Sequence, residues 1–198
     1  NIEIQNVQVK ATLEGIASGE DLEQDSSSFD IMPQSEKTVT LKLKTPLQVN
    51  SGTYDILIEA DGDDENGNTH SADFHTKLEI KKDKHNLKFL NFALSPRTIT
   101  CGRNLNLDYK IINLGEEDEK NAVLEVKSEA LGIDYSQKDL SIEADAENSL
   151  FSGKTQIKID EDTVNGLFPL VANIYSDDNQ LGDSKTFEVK VEDCARTR

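Results

Sequence analysis

Apolar and polar residues alternate with a period of two in many short runs, and no stretch holds the 3.6-residue spacing of an amphipathic helix for long. Val, Ile, Leu, Phe and Tyr fall between Lys, Glu, Thr and Asp, the pattern of strands with one buried and one wet face. In the first part of the chain this predicts strands over 2–13, 29–32, 38–43, 53–60 and 71–81, with a polar loop over 18–28. Within 2–13, Ile2 and Ile4 share one parity and Val7, Val9, Ala11 and Leu13 share the other. The change of face at Gln5-Asn6 calls for a bulge or a bend. The last two strands join across 61–69, where Asn66-Gly67 supplies residues that tolerate positive φ in a tight hairpin.

A charged link over 81–85 leads to a second set of strands, predicted over 87–94, 98–101, 104–113, 121–128, 140–143, 153–159, 167–175 and 184–192. Short strands with turns at regular spacing point to an immunoglobulin-like β-sandwich. The chain has no Trp, so the core is not of the antibody type.

The two halves are a divergent repeat. Residues 7–16 (VQVKATLEGI) lie without a gap on 124–133 (LEVKSEALGI). Val49, Asn50, Gly52 and Tyr54 then fall on Val164, Asn165, Gly166 and Phe168, and Leu78 and Ile80 on Val189 and Val191. Residues 86–121 form an opening section that the first copy lacks. The expectation is an all-β chain of two tandem immunoglobulin-like β-sandwiches, the first lacking its opening strands. Residues 1–82 would be the incomplete copy, 83–85 a linker, 86–194 the complete copy and 195–198 a tail. Repeats mark arrays, and the uneven start suggests part of something longer.

Charge narrows the function classes. Against 38 Asp and Glu stand 21 Lys and Arg, a formal net charge of -17. Nucleic-acid binding, which draws on clustered Lys and Arg, is disfavoured. The acid is spread through turns and outward strand faces, as on a solvated β-surface protected from edge-to-edge aggregation. No apolar run reaches the roughly 18 residues of a membrane helix.

Catalytic chemistry finds no foothold in the sequence. There is no Gly-x-Ser-x-Gly and no Cys beside a His. His70 and His75 are an odd number apart and point to opposite faces of a strand; with His85 they read as solvated surface residues. The chain is expected not to be an enzyme and to need no cofactor, calcium being the one ligand to weigh. Asp61, Asp63, Asp64, Glu65 and Asn66 crowd one hairpin with the hard oxygen donors that Ca²⁺ takes. The spacing is not that of an EF-hand, since Gly67 stands at the seventh place and no Glu at the twelfth. A solvated turn is the plainer reading, with a weak extracellular calcium site as the alternative.

The two cysteines, Cys101 and Cys194, stand at the start of the second main strand and just past the final strand of the complete copy. In a seven-stranded sandwich these places lie at the same end. A disulfide is favoured over two free thiols, and it would place the protein in an oxidising, extracellular setting.

The run from 95 to 133, SPRTITCGRNLNLDYKIINLGEEDEKNAVLEVKSEALGI, resembles the start of CARDB-type immunoglobulin-like domains of cell-surface proteins. It has a Pro, a Cys-Gly-Arg opening the second strand, Asn113-x-Gly115 ending that strand, and an acidic turn. Together with VNSGTYDILIEADGDDENGNTH and a closing VEDC, it is similar to S-layer proteins of small-genome archaea. The resemblance implies a secreted structural protein at the cell surface, associating with itself or with neighbouring subunits, and no catalytic residue. A surface layer or coat is the leading expectation and an adhesive or pilus-like filament subunit the alternative. Three explanations of the incomplete copy are open: upstream strands outside the segment, exchange between subunits, or an open, reduced sandwich. Under exchange, the strand carrying Ile2, Ile4, Val7, Val9, Ala11 and Leu13 would be the one donated to a neighbour.

Overall fold

The computed structural model of the chain describes residues 2–100, 103–145, 147–160 and 162–192. Apart from a 3-10 turn at Glu129–Leu131, the regular elements among them are all β-strands. The chain divides into two compact units, Asn1–Lys81 and Lys82–Arg198. Among the described residues no helix is long and apolar enough to cross a membrane.

Unit 1 contains β1 (Ile4–Ala17), β2 (Glu20–Asp25), β3 (Phe29–Ile31), β4 (Gly52–Asp64) and β5 (Thr69–Ile80). They form one antiparallel sheet in the order β2-β1-β4-β5, with β3 also pairing with β1. The face change expected at Gln5-Asn6 is present. The β1 ladder skips between Gln5 and Gln8 against β4, Asn6 takes φ 55, and its N–H donates to Asp30 Oδ1 at 2.9 Å.

Two expectations for unit 1 are corrected. Residues 18–28 are not a loop throughout, because β2 folds back on β1 from Ala17↔Glu20 to Lys10↔Asp25. An edge ladder is held by backbone bonds, so the polar run EDLEQD can build a strand with Leu22 alone half-buried as an apolar residue. Residues 38–43 keep their period of two, with Val39, Leu41 and Leu43 half-buried and Thr38, Thr40 and Lys42 exposed. Yet they belong to no strand ladder, and no backbone hydrogen bond joins residues 38–44 to other described residues. The alternation recorded which face is turned inward, whereas a ladder also needs a partner.

Unit 2 contains β6 (Leu87–Ser95), β7 (Thr98–Ile99), β8 (Asn104–Asn113), β9 (Glu119–Ser128), β10 (Ile133–Ile142), β11 (Leu150–Lys158), β12 (Gly166–Tyr175) and β13 (Leu181–Val191). One sheet has the order β11-β8-β6 and the other β10-β9-β12-β13-β7. Their inner faces share one core, including Leu105, Leu107, Tyr109 and Ile111 from β8 and Leu170, Ala172 and Ile174 from β12, each at most 1% exposed. This is a complete immunoglobulin-like sandwich. Burying each large apolar side chain of this kind contributes about 1.5–3 kcal/mol. β10 is longer than expected, starting at Ile133 where the polar 134–139 stretch had concealed it.

The repeat holds in three dimensions. Gly15 and Gly132 both take φ 65, and β4 and β12 begin at the matched Gly52 and Gly166. Leu78 pairs with Tyr54 as Val189 pairs with Phe168. Residues 83–85, expected as a linker, are hydrogen bonded into unit 2: the carbonyls of Asp83 and Lys84 accept from the N–H groups of Glu116 and Glu117 at 3.0 and 3.1 Å.

Candidate functional site

Among the described residues no group of three or more His, Cys, Asp or Glu side chains is gathered to hold a metal ion. Cys101 and Cys194 lie outside the described residues.

The acidic hairpin between β4 and β5 is built around one inward-turned carboxylate. Asp64 has its side chain 5% exposed and accepts from Asn66 N–H at 2.8 Å, Asn68 N–H at 2.9 Å and Asn68 Nδ2 at 3.0 Å. His70 Nε2 lies 3.3 Å away. Donation by the Asn68 side chain, then by its N–H, with His70 and Asn66 adding, holds the carboxyl well below the usual range against the opposing effect of burial. Of the other expected donors, Asp63 accepts from Thr69 Oγ1 at 2.8 Å, Asp61 is exposed in the ladder opposite Ser71, and Glu65 and Asn66 are exposed. The five do not converge; Asp64 spends its oxygens on the turn. Asn68, which sequence reading passed over, completes that turn, and the Asp-x-Asn-Gly-Asn run is the signal that marks it.

His85 corrects the solvated reading given to the histidines. Its side chain is 10% exposed, with Nδ1 2.9 Å from Oε1 of Glu119, which is fully buried. Nε2 stands 3.0 Å from Asp178 Oδ2 as an ion pair outside hydrogen-bond alignment. Hydrogen bonding to Glu119, reinforced by the charges of Glu119 and Asp178, pushes the imidazole above its usual range against burial and Lys84. Glu119 Oε2 also accepts from Asp177 N–H at 2.8 Å, and the Asp177 carboxylate accepts from Lys120 and Asn121 N–H groups at 2.9 and 2.6 Å. The entering segment, the start of β9 and the β12–β13 turn are thereby tied together. The other histidines are more open, His70 with 49% and His75 with 69% of the side chain exposed.

Asn113-x-Gly115 serves the same junction. The buried Asn113 side chain donates to the carbonyls of Glu117 at 2.8 Å and Ile142 at 3.2 Å and accepts from Gly115 N–H at 2.8 Å. A Cβ on Gly115 would lie 2.7 Å from Lys84 O, so only glycine allows this approach.

The surface best suited to recognition is the open face of unit 1. The buried apolar residues of unit 1 are Val7, Ala11, Leu13 and Ile16, whereas Tyr54, Ile56, Ile58 and Ala60 of β4 are half-buried. Phe74 on β5 is 62% exposed, and Ile2 near β1 is 46% exposed. Among the described residues β5 pairs only with β4, which leaves its other backbone edge open along twelve residues. β1 is not a loose arm: Ile4, Val9, Ala11 and Leu13 pair with Asp64, Ala60, Ile58 and Ile56 of β4, and β2 and β3 occupy its other edge. Donating it to a neighbour would strip both ladders.

No protein-family model matches the chain and no curated protein matches it. Among solved structures, the CARDB domain of a Pyrococcus furiosus protein in complex with di-metal ions aligns at 14% identity and TM-score 0.43, over 58% of this chain and 95% of that one. A tetra-tandem repeat from the extending region of a large adhesion protein aligns at 12% identity and TM-score 0.30, over 95% of this chain and 42% of that one. Red sea bream transglutaminase aligns at 10% identity and TM-score 0.39, over 96% of this chain and 27% of that one.

Proposed function

We propose that the chain is a non-enzymatic structural segment of an extracellular surface layer or coat, in which tandem β-sandwich units act as spacers and associate through their β-surfaces. The observation that carries this reading is the open face of unit 1, where half-buried Ile56 and Ile58 adjoin an exposed Phe74 and an unpaired β5 edge. Large apolar side chains beside free backbone groups are the ingredients of a contact surface. The spread of acidic residues over a net charge of -17 suits a solvated outer face. The long open edge of β5 also favours a second reading, a subunit of an adhesive or pilus-like filament growing in one dimension.

Immunogold labelling of intact cells, with electron microscopy of the assembled protein, separates the readings. Surface label with planar arrays is expected. Linear fibres would favour the filament, and label confined to the cell interior would overturn both.

A further inference from the structure

β5 carries two features at odds with a plain solvated edge strand. Phe74, opposite Ile58 of β4, is 62% exposed. Asp73 lies directly opposite Glu59, a like-charge pair that costs stability unless a cation answers it. Asp73 and Lys77 touch His75 and Asp55 at 3.4 and 3.5 Å, and all four side chains are exposed, so neither charge is firmly committed.

Unit 2 protects the matching edge in two ways. The repeat that sets Leu78 on Val189 sets Phe74 on Lys185, an exposed charge on the same face of β13 as Phe187 and Val189. The β13 ladder also shifts register between Ile174 and Tyr175. An inward-facing charge and a bulge both blunt an edge against pairing. β5 pairs with β4 without a shift from Gly52↔Ile80 to Asp63↔Thr69, and it puts Phe74 where that charge would stand.

The same comparison bounds how much of this edge chain preceding unit 1 could take. In unit 2 the opening section reaches β13 at Gly182 and Asp183, through Lys88 Nζ and Phe89 N–H, and at Lys190 and Val191 through β7. Residues 184–188 keep no further backbone partner on that edge among the described residues. By the repeat these are residues 73–77 of β5, a stretch that stays open beside a complete set of strands.

We propose that residues 73–77 form a self-recognition edge, pairing antiparallel with the same edge of a second copy, Asp73 opposite Lys77 on either side of a two-fold axis at His75. Only registers that oppose residues of the same parity keep both faces of the sheet continuous, and this one sets both full charges against opposite charges. Across the joined sheet, Lys10, Glu59 and Asp73 of one copy are followed by Lys77 and Asp55 of the other. The Glu59–Asp73 pair then lies between two lysines. On the other face Phe74 stands opposite Thr76 and diagonal to Phe74 of the second copy, within reach of an aromatic ring. So short an edge makes a small, weak interface. A two-fold contact closes on itself, so it yields pairs, and a lattice or fibre needs a further contact. The inference rests on the reading of the chain as an assembling module and names one of its partners.

Analytical ultracentrifugation of the full chain tests it between about 1 µM and 1 mM, the range of weak association. A monomer–dimer equilibrium is expected. Lys77→Asp and Asp73→Lys should each weaken it at least about tenfold, since each sets like charges opposite one another at two places. Mixed in equal amounts, the two variants should pair with each other, because the aspartates of one then face the lysines of the other at both places. Melting of unit 1 shows that each variant is folded. In the dimer, alternate amides within 73–77 should exchange at least about tenfold more slowly while those of 184–188 are unchanged. A chain that stays monomeric, folded variants that pair as well as the parent, or a mixture of folded variants that gains nothing overturns the proposal. Pairing that follows this charge rule in a protein found only inside cells would sink the surface reading and leave the β5 contact standing.

Discussion

His85 Nδ1 meets Glu119 Oε1 at 2.9 Å across 34 residues of chain, and this contact fixes where unit 2 begins. Glu119 is wholly buried, so its charge relies on the imidazole and on Asp177 N–H for compensation. The pair is both an ionic contact and a structural tie.

The first prediction is a pH dependence. The folded-state pKa of His85 is raised, so its stabilisation is fully present below the unfolded value of about 6.5 and is lost as pH rises through the folded value. Glu119 and Asp178 face the ring as anions and Lys84 opposes them. Melting of unit 2 followed between about pH 5 and 9 should therefore fall through a step that His85→Gln lacks. Parallel curves for the two proteins would remove His85 as the cause. His85→Ala should destabilise unit 2 by about 3 kcal/mol at low pH, since it leaves the buried carboxylate short of a partner.

Asp64 behaves in the opposite sense. Its folded pKa is depressed, so its contribution is present above the unfolded value of about 3.9 and disappears as pH falls through the folded one. Asp64→Asn should lower the melting temperature of unit 1 at pH 7 and flatten its acid dependence below pH about 4. Equal acid sensitivity in the variant would show that the turn does not depend on this charge.

Calcium should have no effect on that hairpin. The Asp64 oxygens already accept from Asn66 and Asn68, and Asp61, Asp63 and Glu65 do not converge on them. Calorimetry with calcium and then with chelator should show the same unit 1 transition. A rise in melting temperature with calcium would mean that the loop rearranges around the ion.

Tyr109 and Gly153 are direct partners across the β8–β11 ladder, with the ring lying over the glycine. An added Cβ would stand 2.6 Å from Tyr109 Cε2. The ring cannot easily yield, being stacked on Phe92 and Phe151 with its hydroxyl donating to Gln137 Oε1. Gly153→Ala should destabilise unit 2 by about 1–3 kcal/mol in urea unfolding. A neutral result would show that Tyr109 has another place to go.

Matched core truncations measure the incompleteness of unit 1. Leu170→Ala should cost about 2–5 kcal/mol in unit 2, where the side chain is fully buried. Ile58→Ala should cost only about 1 kcal/mol in unit 1, where the isoleucine is half-exposed. Urea titration of each variant reads both values, and equal losses would mean that the unit 1 face is better covered than its exposure indicates.

The sequence was most legible where the repeat tied one half to the other. Gly15 with Gly132, Gly52 with Gly166 and Leu78 with Val189 could be paired from residue identity, and the structure puts them in equivalent places. The parity change at Asn6 was readable because a bulge flips every later side chain. β2 was hidden because an edge strand can be almost entirely polar. His85 was hidden for a different reason: a short charged stretch looks like a link, and its partners Glu119 and Asp178 are supplied by distant turns. Whether residues 38–44 have a partner could not be read from their own alternation.

The docked entry segment also gives unit 2 a mechanical character. Tension arriving through Lys82 first loads the bonds from Glu116 and Glu117 to the carbonyls of Asp83 and Lys84, and then the His85–Glu119 contact. Under tension these ties are expected to part before the strand ladders of the sandwich, and pulling on the chain would register that as a separate first extension. Because one of them depends on a protonated imidazole, the force at which they part should fall as the surroundings become alkaline.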